Sequence, residues 1–157
     1  MAEIRVEIPA GMLASISAKL SPDLYLPAIA TLLQQAALLG EREARGLVPK
    51  DTSALARSLI GEVTGPLTAR VYSPLAYAVV MDQGRAAGAT MPPPDALLGW
   101  MSRHGIPASA RFVIARGIGR RGIRGRFFMK AAMQAVTETL PRLAESAVAT
   151  IAARWSA

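Results

Sequence analysis

The chain contains no cysteine. That excludes disulfides, thiolate metal sites and cysteine catalysis, and it accords with a reducing compartment. Histidine occurs once, at His104, and aromatic residues make up only 5% of the 157 residues. The core must therefore be filled by Leu, Ile, Val, Ala and the 7 Met residues. Abundant Ala and Leu favour a helix-rich fold. The uncharged stretch from Leu24 to Gly40 contains Pro27, Gln34 and Gln35 and is shorter than the ~20 apolar residues of a bilayer span. It reads as a buried helix, and no membrane association is expected. Glu3, Arg5 and Glu7 interrupt the first apolar segment, against a secretory signal.

What is present is globular in composition, with 52% hydrophobic and 18% charged residues. A single domain over residues 1–157 is expected, long enough to bury about two-thirds of its unfolded surface. Acid is missing from one window. Between Arg103 and Val136 stand Arg103, Arg111, Arg116, Arg120, Arg121, Arg124, Arg126 and Lys130, with no Asp or Glu. Taking those eight from the 18 basic residues leaves ten against 11 acidic ones, so this window supplies the whole excess of a chain whose net charge is +7.

Periodicity sets the expected elements. Ile4, Val6 and Ile8 alternate with charged residues, the pattern of a half-buried strand that Pro9 and Gly11 end. Met12 to Leu20 reads as a short helix. Ser21 and Pro22 read as the start of the next, although Pro27 suggests that regular helix begins near Leu26. Its stripe of Leu26, Ile29, Leu33, Ala36 and Ala37 runs into Glu41–Arg45, expected to be a solvated last turn closed by Gly46. Asp51 or Thr52 is positioned to cap a short helix from Ser53 to Ile60. Gly61 to Ser73 and Ala76 to Met81 are rich in Val, Tyr and Thr and read as two or three antiparallel strands.

Farther on, Gly84 to Thr90 reads as a flexible loop with a proline-stiffened exit. Asp95 to His104 and Ser109 to Ile118 read as helices, the first stopped by Gly105. A last long helix is expected from about Arg126 to Trp155, kinked or split at Pro141. Trp100 is expected in the core or an interface, and Trp155 either on the fold or against a neighbour.

The segments I-R-V-E-I-P-A-G, P-K-D-T-S-A-L-A-R-S-L, Y-A-V-V-M-D-Q-G and G-R-F-F-M-K-A-A occur in that order. Together they resemble the tail-component, or tail-completion, family of long-tailed bacteriophages, the gene-product-ten type of lambdoid phages. The likeness runs from about Ile4 to Ala135. The family's middle motif usually reads P-x-D-T-G-x-L-x-x-S-I, followed by Y-A-x-x-V-E-x-G-T. Here Ser53 replaces the glycine, and Met81-Asp82-Gln83-Gly84-Arg85 stands in the second position.

The resemblance implies an α+β fold like that of tail-terminator proteins. A small antiparallel sheet would be packed with several helices, including a long one in the N-terminal half and a long C-terminal one. It also implies a non-enzymatic virion protein that forms a ring, commonly a hexamer, at the head–tail junction. Neck or stopper proteins and tail-tube or tail-terminator proteins are the implied partners. A tail-terminator or minor tail role on the same fold, and a small basic DNA-binding module, stand as alternatives. No catalytic residue, cofactor or metal is implied.

Two sets of residues are candidates for contacts. Gly84, Arg85, Gly88, Met91, Pro92 and Pro93 form a long loop of small residues suited to an inter-subunit arm, or to a plain surface loop. Arg116, Arg120, Arg121, Arg124, Arg126 and Lys130 are suited to packaged DNA at a ring lumen, to acidic protein partners, or to simple solvation. Gly117, Gly119 and Gly122 match G-x-G-x-x-G, with Glu138 downstream, but the strand–turn–helix context of a dinucleotide site is missing. Those glycines read instead as a mobile loop between two helices. His104 reads as a helix C-terminal residue rather than a metal ligand, since only Asp95 is nearby in sequence. A triad from Asp51, Ser53 or Ser58 with His104 lacks the supporting loops of known hydrolases.

Overall fold

The computed structural model describes residues 2–9, 11, 14, 20–49, 51 and 53–156. In chain order the elements are β1 (Ala2–Glu7), α1 (Pro22–Leu47), α2 (Ala54–Ser58), β2 (Ile60–Gly65), β3 (Thr68–Ser73), α3 (Ala78–Gln83) and β4 (Gly84–Arg85). They are followed by α4 (Leu98–Arg103), α5 (Arg111–Arg121), β5 (Ile123–Arg124) and α6 (Phe128–Trp155). Short 3-10 turns at Pro94–Leu97 and Ala108–Ala110 lead into α4 and α5. The fold is α+β, with long helices in the N-terminal half and at the C-terminus, as the sequence implied. The short helix expected over Met12–Leu20 lies largely outside the described residues, as does Thr52.

The chain forms two compact units. Met1–Ala78 and Phe127–Ala157 make the first, and Val79–Arg126 makes the second.

In the first unit β3 is the central strand of an antiparallel sheet ordered β1-β3-β2. Ile4 faces Val71 and Val6 faces Ala69 across β1 and β3, while Gly61 faces Val71 and Val63 faces Ala69 on the other side. Strand alternation puts Ala69, Val71 and Ser73 on a buried face, and all three are at most 2% exposed. The opposite face carries Glu3, Arg5, Glu62, Arg70 and Tyr72. There Arg70 donates from Nε and Nη2 to Glu62 Oε1 at 2.9 and 2.7 Å and lies 4.3 Å over the Tyr72 ring. The Glu62 hydrogen bond raises the Arg70 pKa above its ordinary value.

Helix α1 covers the buried sheet face and packs along α6. Tyr25, Ile29, Leu32 and Leu33 recur at helical spacing in one cluster with Ala69, and Leu140, Leu143 and Ile151 pack against it. Gly40 sits where three elements meet: a Cβ there would lie 3.0 Å from Val71, 3.3 Å from Val136 and 3.6 Å from Ile4.

Four expectations need correction in this unit. Regular helix begins at Pro22, with Ser21 as N-cap, and runs through Pro27. Pro27 forfeits one backbone bond near an exposed helix start, and buried Tyr25 and Ala28 on either side hold the helix in register. Next, Glu41–Arg45 is solvated only in part, with Arg42 and Arg45 exposed. Ala44 is fully buried, Glu41 Oε2 accepts the Gly61 amide at 2.5 Å, and Arg45 donates to the Ala56 and Leu59 carbonyls at 3.1 and 3.0 Å. The helix also passes Gly46 and ends at Leu47. Third, Ala76–Met81 is not a strand, because residues 78–83 form α3. The two valines supply strand propensity, which tertiary packing overrides. Finally, α6 is not split at Pro141 but continues across it. Pro141 is exposed, while Leu140 and Leu143 beside it pack on the core cluster.

In the second unit α4 ends in a Schellman motif. Gly105, at φ 66, donates to Ser102 O at 3.2 Å and Ile106 donates to Met101 O at 2.9 Å. Helix α5 begins at Arg111 and continues to Arg121, so the expected mobile loop at Gly117–Gly122 is wrong. Gly117 and Gly119 are helical, and Gly122 is the residue that ends the helix, at φ 74 and ψ −166.

Candidate functional site

The two candidate segments, some thirty residues apart in sequence, come together in the second unit. Gly84 pairs with Arg124 and Arg85 with Ile123 as a two-stranded antiparallel ribbon. The Gly88 amide donates to the Gly119 carbonyl at 2.9 Å. Arg126 N donates to Met81 O at 3.1 Å, and Arg85 Nη2 donates to Thr90 O. The segment from Gly84 to Thr90 is thus tied down at several points. Gly84 and Arg85 are strand where a loop was expected, held by residues far along the chain, and residues 86–90 are irregular as expected.

This junction is backbone packed on backbone. A Cβ at Gly122 would lie 2.2 Å from Arg85 O, and one at Gly125 would lie 2.5 Å from the Gln83 carbonyl carbon. No side chain larger than hydrogen fits at either position without moving the chain. Met91 lies against Gly119, whose Cβ would be 3.5 Å from that of Met91. Met91 and Pro93 are exposed and Pro92 is half-buried.

The basic residues project outward from this frame. Arg116, Arg120, Arg121, Arg124 and Arg126 are all exposed, whereas Ile118 and Ile123 are half-buried and Gly119 is buried. Arg116 and Arg120 share a face of α5 with Phe112, which is 52% exposed. Arg121 folds back over Gly117, where a Cβ would meet its Nη2 at 2.9 Å. Among the described residues none of these five arginines meets a carboxylate. Lys130 is exposed on the first turn of α6 and belongs to the other unit.

Val79–Arg126 contains eight arginines, no lysine and only Asp82 and Asp95 as acids, a net of +6. Asp82 is 6% exposed. Asp95 Oδ1 lies 3.1 Å from Arg111 Nε, an ion pair by distance whose alignment leaves that nitrogen without a hydrogen bond. The remainder of the chain carries ten basic and nine acidic residues, a net of +1. Sequence reasoning located the positive charge but missed the Asp95–Arg111 pair, for which spacing gives no signal.

The other candidates are structurally occupied. His104 Nδ1 lies 2.9 Å from the Trp100 carbonyl, and the two rings are 4.7 Å apart. Trp100 is 38% exposed and Trp155 62%. Ser58 Oγ donates to Leu55 O at 2.7 Å and lies 2.8 Å from Ser73 Oγ. A half-open groove of about 220 Å³ between α1 and α6 is lined by residues including Thr31, Gln35, Ser146, Thr150 and Arg154. The Thr31 and Thr150 hydroxyls are spent on Pro27 O and Ser146 O of their own helices, each at 2.9 Å. Among the described residues no group of three or more His, Asp or Glu is placed to hold a metal, and no helix is long and apolar enough to cross a membrane.

Compared with known families, curated proteins and solved structures, the chain matches none.

Proposed function

We propose that the chain is a non-enzymatic structural subunit of a long-tailed phage or prophage. It forms a ring at the head–tail junction, completes the tail and joins it to the head. Its partners are copies of itself, most simply six, together with neck or stopper proteins and tail-tube or tail-terminator proteins. It is assembled in the bacterial cytoplasm and resides in the virion. The mechanism is geometric: each protomer presents unlike surfaces to two neighbours, and the rotation closes the ring.

The observation that carries this reading is the backbone at Ser53. In the resembling family this position of P-x-D-T-G-x-L is glycine. Here the residue has φ 56 and ψ 8, left-handed, immediately before α2. A left-handed turn is where glycine is favoured and other residues are strained. The motif's glycine thus has a physical reason in this fold, and Leu55, two residues on, is buried as the motif's leucine requires.

Deleting the gene from a phage that carries it tests the proposal. Full heads and separate tails of normal length are expected by electron microscopy. Overlong tails would assign the tail-terminator role instead, and normal infectious particles would overturn a structural role altogether.

A further inference from the structure

We infer that the second unit grips duplex DNA by its phosphate backbone, without sequence preference, through Arg116, Arg120, Arg121, Arg124 and Arg126. The inference goes beyond the ring assignment and does not depend on it, because it concerns the purified chain and naked DNA.

Residues 116–126 consist of arginine, glycine and isoleucine alone. The structure sorts these three types. All five arginines are exposed, and the isoleucines and glycines are half-buried or buried. Gly122 and Gly125 press against the backbone of residues 82–87, so the arginines are carried on a held frame rather than a loose tail. Within 116–126 the exposed side chains are therefore all guanidiniums, bordered on α5 by exposed Phe112 and Val113. Guanidinium groups match phosphate oxygens with paired donors and stay charged at any working pH.

The counter-charge must come from elsewhere. Of the two acids in the unit, Asp82 is buried and Asp95 lies beside Arg111. The first unit nets +1, so a second copy brings no net negative charge to these arginines. An acidic protein partner would normally meet aromatic or aliphatic anchors at the centre of the contact. Within 116–126 the only apolar side chains, Ile118 and Ile123, are half-buried. Single strands are held by stacking bases on aromatic rings, and this segment has none. Phe112, a turn away, already has the Arg111 guanidinium 4.9 Å from its ring centre. A duplex backbone, which repeats charge and asks for no apolar anchor, fits what remains.

The test is fluorescence anisotropy with a short labelled duplex of mixed sequence and the full chain. Binding should weaken steeply as salt rises, with a log–log slope of about −4 to −5, because each phosphate contact contributes roughly −0.9. Changing Arg116, Arg120, Arg121 and Arg124 together to Gln should abolish most of that slope. A control with Arg5→Gln, Arg42→Gln, Arg57→Gln and Arg142→Gln removes the same charge from the first unit and should bind nearly as the parent does. Circular dichroism checks folding, and Arg120→Gln with Arg121→Gln alone serves if the fourfold variant fails to fold. The inference is overturned by an absence of duplex binding at low salt or by an equal loss in the control. It is also overturned if a single strand binds more tightly than the duplex, or if polyglutamate at matched charge competes as well as DNA.

Discussion

The two units of this molecule are held together in different ways. The first uses long elements whose apolar side chains interdigitate: Leu33, Ile29 and Tyr25 of α1 meet Ala69 of β3 and the Leu140–Ile151 face of α6. Its charge is nearly balanced. The second uses short helices, a two-residue ribbon and glycines that let backbone touch backbone, and it carries almost all of the excess charge. Side-chain burial favours a rigid body that tolerates variation on its exposed faces. Glycine-mediated backbone contact gives a compact frame with little apolar content, on which arginines can stand exposed.

The largest effect should come from the first unit's core. Leu33 is fully buried, so Leu33→Ala should cost about 2–5 kcal/mol in denaturant unfolding. A loss below that range would mean that side-chain packing is not what separates the units. Gly122→Ala should come next. The backbone conformation alone costs about 1–3 kcal/mol for a non-glycine residue, and the added carbon meets the Arg85 carbonyl. Amide hydrogen exchange should quicken throughout 79–126 while α1 and α6 keep their protection; uniform quickening would show that the units do not open separately.

Glu41→Ala is expected to cost about 1–3 kcal/mol, since it orphans the part-buried Gly61 amide. The midpoint of urea unfolding should fall with its slope unchanged. Smallest and opposite in sign, Ser53→Gly should raise stability by roughly 0.5 kcal/mol, because relief of the left-handed strain slightly exceeds glycine's extra unfolded entropy. A fall in melting temperature would remove the strain argument and, with it, the reasoning from the motif.

That division also explains how much was legible in advance. Where residue pattern is local, reading it was enough: Ile4 and Val6 marked β1, the Ile29–Leu33–Ala37 stripe marked α1, and the Val-, Tyr- and Thr-rich run Gly61–Ser73 marked β2 and β3. Glu41 and Arg45 misled because a charged pair on a helix usually faces water, and only the approach of β2 and α2 gives them backbone partners. Ala78–Gln83 misled because Val79 and Val80 carry strand propensity without a strand to pair with. Gly84–Thr90 and Gly117–Gly122 misled most, each looking loose when read alone. Each supplies the other's hydrogen bonds, and periodicity holds no trace of a contact between two glycine segments so far apart.

By itself the order of residues determined the α+β class, the two long helices, the sheet strands and the stretch in which positive charge accumulates. These depend on local spacing and composition, which a linear string contains in full. Tertiary structure alone decided that the arginine segment is braced against residues 82–87, that Glu41 and Arg45 find backbone partners on β2 and around α2, and that Ser53 takes a left-handed turn. Those outcomes depend on which distant backbone groups meet, and a meeting of that kind is settled by packing in three dimensions.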